Sequence, residues 1–387
     1  MLLILTALLF LAALGFFIWN GARVLYHALH ALTPRVRLLP YALTCGGIIL
    51  AIMLLFFGSK AANAPVPRPL ALAAHYAVGV LLYLVLALNL LSLVWLACRL
   101  ARRSRKQMPR TFVLSSTAVT LMLALTLSLY GFLNATNIKI TRYTVTLAED
   151  ADRSDTLKLA LLSDLHLGTV HDAEALAAIV EAVNRGKPDI VCIAGDIFDG
   201  SLSALENHDK VAEAFRSLDA RYGVYACFGN HDAGKDFNGM KALLKEANVQ
   251  LLEDEAVIID NRFLLAGRRD SSPIGAQNEK RTDLTLPKTE QTLPLIVLDH
   301  QPSNIKEYNM GIPTLILSGH THKGQLFPFN LVTSALFDAD YGYYRESESA
   351  PHAIISSGVG TWGPPMRVGS ISEIVLVTVT LPARSGN

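Results

Sequence analysis

The chain has 387 residues, of which 51% are hydrophobic and 17% charged, with a net charge of +1. A mean hydropathy of +0.34 is too high for one soluble domain of ordinary make-up. The near-neutral charge, with no basic stripe studded by aromatics, argues against a nucleic-acid binder.

The apolar excess lies in the first third. Four segments, 2–19, 38–58, 70–98 and 111–134, are each about long enough to cross a ~30 Å hydrocarbon core as helix, so four transmembrane helices are expected over 1–134. The first has no basic stretch ahead of it and no clean small-residue cleavage site after Trp19, so it reads as a retained helix rather than a signal peptide. His75 is the only ionisable residue well inside a span. That is thin support for a transport path.

Basic residues set the expected orientation, because Lys and Arg favour the cytoplasmic side. Arg23, Arg35 and Arg37 follow the first segment, and Arg99, Arg102, Arg103, Arg105, Lys106 and Arg110 lie between the third and fourth. Only Lys60 and Arg68, and then Lys139 and Arg142, fall on the other side, together with the stiff Pro-rich turn at 64–69. Both termini, and whatever follows the fourth helix, are therefore expected outside the cytoplasm, in a multi-pass protein of the inner or plasma membrane. Cys45 and Cys98 fall in the spans and Cys192 and Cys227 in predicted buried strands, where a thiol behaves as a small hydrophobe.

A stretch over 135–156 reads as a linker of about 20 residues, which keeps the following domain close to the bilayer. From 157 to 382 short apolar strands alternate with amphipathic helices, and 383–387 is a tail. Strands are expected at 157–163, 190–194, 223–228, 293–298, 314–318, 353–357 and 371–380. Leu176, Ile179, Val180 and Val183 recur at helical spacing, as do Met240, Leu243, Leu244 and Ala247. A hairpin is expected to turn at Asp260 and Asn261. The series predicts a layered α/β domain.

Five of these strands end in groups able to hold a metal. They are Asp164 and His166, then Asp196 and Asp199, then Asn230, His231 and Asp232, then Asp299 and His300, then His320 and His322 after Gly319. Gly319 is expected to let the chain turn sharply out of its strand. A lone Gly-Asp or Asp-x-His means little. All five in this order resemble the calcineurin-like metallophosphoesterase superfamily, whose pattern is D-x-H, G-D-x-x-D, G-N-H-D/E, a lone His and G-H-x-H.

The resemblance implies a β-sandwich-centred α/β fold and two divalent ions, Mn, Fe or Zn. One ion would sit on Asp164, His166, Asp196 and His322, the other on Asp196, Asn230, His300 and His320, with Asp196 shared. Such ions turn a shared water into hydroxide near neutral pH, which attacks phosphorus in line. His231 would protonate the leaving oxygen or stabilise the transition state, and Asp199 would orient it.

Departures from the pattern narrow the substrate. The protein phosphatases of the superfamily carry Arg and Glu where this chain has Gly200 and Asp232, which argues against that activity. The run from Gly319 to Gln325 and the late segment from Gly358 to Gly369 look instead like the bacterial membrane-linked branch, which holds phosphodiesterases and some pyrophosphatases of UDP-2,3-diacylglucosamine. A UDP-linked lipid is a cytoplasmic substrate, so it conflicts with the expected orientation. Trp362, Pro364 and Pro365 are expected to wall the site, Arg367 to hold a phosphate oxygen, and Arg268 and Arg269 to be second phosphate contacts. The expected partners are a phosphoester, lipid-linked or of the cell envelope, and the bilayer. The rival expectation is a membrane receptor or transport partner whose domain only binds metal; it leaves His231 without a purpose.

Overall fold

The computed structural model describes residues 2–59, 66–101, 108–148, 154–274, 280–287 and 293–383. Lys60, Arg102, Arg103, Arg105, Lys106, part of the Pro-rich turn and the last four residues, all used above, lie outside the described residues. The chain divides into two compact units, Met1–Gly58 with Pro65–Phe132, and Ser59–Ala64 with Leu133–Asn387.

The first unit is helical. It contains α1 (Leu2–Leu32), α2 (Leu38–Ser59), α3 (Arg68–Ala101) and most of α4 (Arg110–Thr136). Among the described residues, three helices, α2, α3 and α4, are long and apolar enough to cross a membrane. The segment expected as a first span lies within α1, which runs on through Arg23, His27 and His30. Val24 and Ala28 of α1 bury against Leu88, Leu91 and Trp95 of α3. Asn20 Nδ2 donates to Asn89 Oδ1 at 2.9 Å across the same seam, a side-chain bond of the kind that fastens helices where water is scarce.

The second unit is a sandwich of two six-stranded sheets. One has the order β1-β12-β2-β3-β4-β5 and holds β1 (Lys139–Thr146), β2 (Ser154–Leu162), β3 (Ile190–Ala194), β4 (Val224–Cys227), β5 (Val249–Leu251) and β12 (Glu373–Pro382). The other has the order β10-β11-β9-β8-β7-β6, from β6 (Glu255–Ile259), β7 (Phe263–Gly267), β8 (Leu295–Leu298), β9 (Thr314–Ser318), β10 (Gly342–Tyr344) and β11 (His352–Ile355). Both sheets are mixed. β2, β3, β4 and β5 run parallel while β12 runs antiparallel to β2.

Side-chain alternation along the strands fills two cores at once. In β2, Leu157, Leu159 and Leu161 enter the core between the sheets, while Ala160 and Leu162 enter the core under the helices. That helical layer is α5 (Ala173–Arg185), α6 (His208–Arg216) and α7 (Phe237–Glu246). α5 buries Leu176, Ile179, Val180 and Val183 as their spacing predicts, and Asp172 caps its start by accepting from Ala175 N at 2.9 Å. The hairpin turns at Asp260 and Asn261, both with φ of 53°, as a two-residue turn of the right twist requires.

One expectation needs correction. The stretch read as a linker contains β1, paired in parallel with β12 from Lys139↔Glu373 to Thr146↔Thr380. Only Asn137 and Ile138 separate it from α4. Its alternation of Ile140, Arg142, Thr144 and Thr146 with Thr141, Tyr143 and Val145 suits an edge strand, but its partner lies more than 200 residues away and leaves no local trace.

Candidate metal centre

The carboxyl ends of β2, β3 and β4 in one sheet and of β8 and β9 in the other open at the same end of the sandwich, where loops leave parallel strands and ligands gather. There the five strand ends meet. Asp164, His166 and His322 form one group, Asp196, His300 and His320 a second, and His166, Asp199 and His231 a third, with the donor atoms of each group within 4.8 Å of one another.

Asp196 stands between the first two groups. Its Oδ2 lies 3.2 Å from His300 Nε2 and 3.7 Å from His166 Nε2, and its Oδ1 accepts from the backbone N of His231 at 2.8 Å. On one side, His322 Nε2 is 3.3 Å from Asp164 Oδ1 and 3.1 Å from His166 Nε2. On the other, His320 Nδ1 is 2.8 Å from Asn230 Oδ1. The ring of His300 is set by its far side: Nδ1 is 2.8 Å from the Ala194 carbonyl, which can only accept, so in the neutral ring the lone pair belongs to Nε2, facing Asp196.

Backbone conformation marks these residues as strongly as their chemistry does. Asp164, His166, Asp196, His320 and His322 have φ of 54°, 46°, 50°, 70° and 49°, the left-handed region that costs an L-residue roughly 1–2 kcal/mol. Gly319 is not among them. A methyl there would fall on Asp164 Oδ2 and the Ser163 side chain, so glycine is needed for close approach, and the sharp turn belongs to His320.

Burial sets the electrostatics. It opposes ionisation of Asp164 and Asp196, yet His322 beside the first and His300 beside the second hold both carboxyls below the usual range. Two buried carboxylates therefore demand positive charge at this point. Burial, aided by His300, pulls His320 down to about 4, which leaves its imidazole neutral as a metal ligand must be. His322 Nδ1 and His300 Nε2 are buried without a hydrogen-bond partner. Carboxylate, amide and imidazole donors with no thiolate suit Mn, Fe or Zn, so the residues fit two such ions.

Asp199 lies beside the centre, its Oδ1 3.6 Å from His231 Nδ1 and 3.8 Å from His166 Nδ1. Trp362 is half exposed, with its ring 6.3 Å from that of His231, and it lines with Pro364 a cleft of about 450 Å³ whose floor is Asp196, Asn230, His231, His320 and His322.

The three arginines expected at phosphate are elsewhere. Arg367 is fully buried and donates to the carbonyls of Gly358 at 3.0 Å and Gly360 at 2.6 Å, so it holds the wall loop from within; burial lowers its guanidinium to about 10. Arg268 is buried against Asp254 at 3.3 Å and the Thr282 carbonyl at 3.0 Å, facing a different pocket, which Arg269 also lines. Asp299, though next to His300, is held by both Arg281 nitrogens at 3.1 and 2.8 Å and by Tyr308 at 2.6 Å.

The supporting roles of two residues escaped the sequence reading. Asp232 is buried and accepts from the backbone N of Ile197, Phe198 and Gly229, tying the Asp196 loop to the Asn230 loop; burial, then the nearby Asp196, pushes it up to about 7. Gln325 donates to the carbonyls of Trp362 and Pro364 and accepts from Trp362 N, which fixes the wall. The G-N-H-D motif pointed at Asp232 without saying what it does; nothing local pointed at Gln325.

Comparison with known proteins agrees with this geometry. The family model for calcineurin-like phosphoesterase matches residues 157–324. An uncharacterized metallophosphoesterase of Aquifex aeolicus is 31% identical over 67% of this chain and 98% of its own. Transmembrane proteins with a metallophosphoesterase domain from Danio rerio and Bos taurus are 32% and 33% identical over 68% and 66% of this chain, which spans 62% and 61% of theirs. The crystal structure of a dimetal phosphatase from Danio rerio is 12% identical over 58% of this chain and 98% of its own, with a TM-score of 0.31. The chain belongs to the calcineurin-like metallophosphoesterase superfamily. Family and donor groups together suggest a dinuclear metal site, and the apolar helices suggest association with a membrane.

Proposed function

We propose that the protein is a membrane-anchored phosphoesterase of the phosphodiesterase or pyrophosphatase type, acting on a lipid-linked or cell-envelope phosphoester. The observation that carries this reading is the position of Asp196 between two donor groups, with His231 beside them in an open cleft. Divalent ions held by Asp164, His166, Asp196 and His322, and by Asp196, Asn230, His300 and His320, would supply Lewis acidity and a nucleophile at neutral pH. His231, reached from the cleft, hands a proton to the leaving oxygen, and Asp199 keeps its ring in place. Trp362 and Pro364 wall the substrate from water. A set of four spans with the first in α1, a phosphoesterase domain that takes in β1 ahead of residues 157–382, and a catalytic unit outside the cytoplasm complete the proposal.

Hydrolysis of bis-p-nitrophenyl phosphate and p-nitrophenyl phosphate by the full chain in detergent with added Mn tests it. Diester turnover should fall by at least about 100-fold in both Asp196→Asn and His231→Ala. Two bound ions by metal analysis, without turnover of either compound or of an amphipathic phosphoester, would sink the enzyme reading in favour of a binding module.

A further inference from the structure

Next to the metal-facing loop stands α8 (Phe329–Leu336), an eight-residue helix with no buried side chain. Its amphipathicity is inverted. Phe329, Leu331, Val332, Ala335 and Leu336 share one side of the helix at 3.6-residue spacing, and that side faces outward, with Leu331 60%, Val332 51% and Leu336 73% exposed. The opposite side carries Asn330 and Thr333, which are half-buried, and Thr333 Oγ1 donates to Asp340 Oδ2 at 2.7 Å.

Phe329 and Trp362, 47% and 50% exposed, both line the cleft, and Phe327, 48% exposed, lies two residues ahead of Phe329. Phe329 belongs to both the patch and the cleft lining, where buried Leu326 lies with it. From Gly324 to Phe337 the chain carries no charged residue. Gly324, at φ 71°, lies so close to the backbone of Phe329 and Asn330 that no Cβ fits between, so the helix is seated against the loop that carries His320 and His322.

An apolar, uncharged helix side of this kind is a surface that water does not favour. A protein partner would ordinarily be met by some polar or charged rim on the helix; a lipid leaflet asks for none, and aromatic rings at the border suit its interface. The same chain supplies the leaflet's proximity, because α4 is long and apolar enough to cross a membrane and only Asn137 and Ile138 separate it from β1.

We propose that α8, with Phe327 and Trp362, dips into the interfacial layer of the bilayer and opens the metal cleft onto the lipid surface. An amphipathic phosphoester could then slide its phosphate onto the centre without leaving the leaflet. What the docking delivers rests on the phosphoester reading of the cleft; where the helix lies does not.

The test uses the full chain with Cys45→Ala and Cys98→Ala, reconstituted in phosphatidylcholine vesicles, carrying an environment-sensitive fluorophore on Leu336→Cys or, separately, Val332→Cys. Brominated phosphatidylcholine should lower its emission by about half while aqueous iodide leaves it nearly unchanged. The same label on the exposed Ser349→Cys should show the reverse. Iodide quenching at 332 and 336 equal to that at 349 would overturn the proposal. Protection from both quenchers would overturn it too, assigning the face to a protein partner or a second copy. Diester turnover on the same samples reports the metal centre separately, so lipid quenching without turnover would uphold the docking and sink the catalytic reading.

Discussion

Asp164, His166, Asp196, His320 and His322 hold left-handed backbone because the loops around them leave no other path, and glycines at points of close approach make those loops fit. Gly319→Ala therefore tests the site at the scale of one methyl group. The added carbon displaces Asp164 from its place beside His322, and bound metal by elemental analysis should drop from two ions per chain by about one. A stoichiometry of two in that variant would show that Asp164 is not needed as a ligand. At this scale the sequence was informative about ligands and silent about supports. The D-x-H and G-H-x-H spacings are local and carry their chemistry on their face. Arg367 reads as a phosphate contact from sequence because an arginine in a Gly- and Pro-rich loop is ordinarily exposed. Its burial depends on the carbonyls of Gly358 and Gly360, which only folding brings to it.

Among elements, the buried strands were the most legible, because runs such as Ile190–Ala194 and the Leu-Ile-Leu centre of Thr314–Ser318 are apolar and lead into ligand-bearing loops. Leu161, fully buried between the sheets, should cost about 2–5 kcal/mol when changed to Ala, measured as loss of unfolding free energy or a matching fall in Tm. Retention of wild-type stability would mean that the inter-sheet core is loose at that point. Two of the elements that the sequence reading missed were invisible for opposite reasons. β1 is held by a partner remote in sequence, and α8 is an apolar helix turned outward, against the periodicity rule that places such faces in a core.

At the level of the whole molecule, the donor groups tie together loops from both sheets, so their ions should act as cross-links of the native state. Ions that bind the folded chain alone stabilise it by about 2.7 kcal/mol at a concentration 100 times the dissociation constant. A chelator should accordingly lower Tm, with recovery on adding Mn, and the shift should vanish in Asp196→Asn. An unchanged Tm on chelation would mean that the sandwich holds the site without help. The division of the chain into an apolar helical part and an α/β part was plain from composition, because hydropathy is additive along sequence; the join between them was not.

That join sets where the α/β part can be cut. The family match begins at residue 157, and a chain trimmed to that point would keep every donor group yet lose β1. It would bare the eight-residue ladder of β12 as an edge that carries Val375, Val377 and Val379, open to pairing with its own copies. The first strand after α4 thus doubles as a guard against aggregation, and trimming must stop ahead of Lys139.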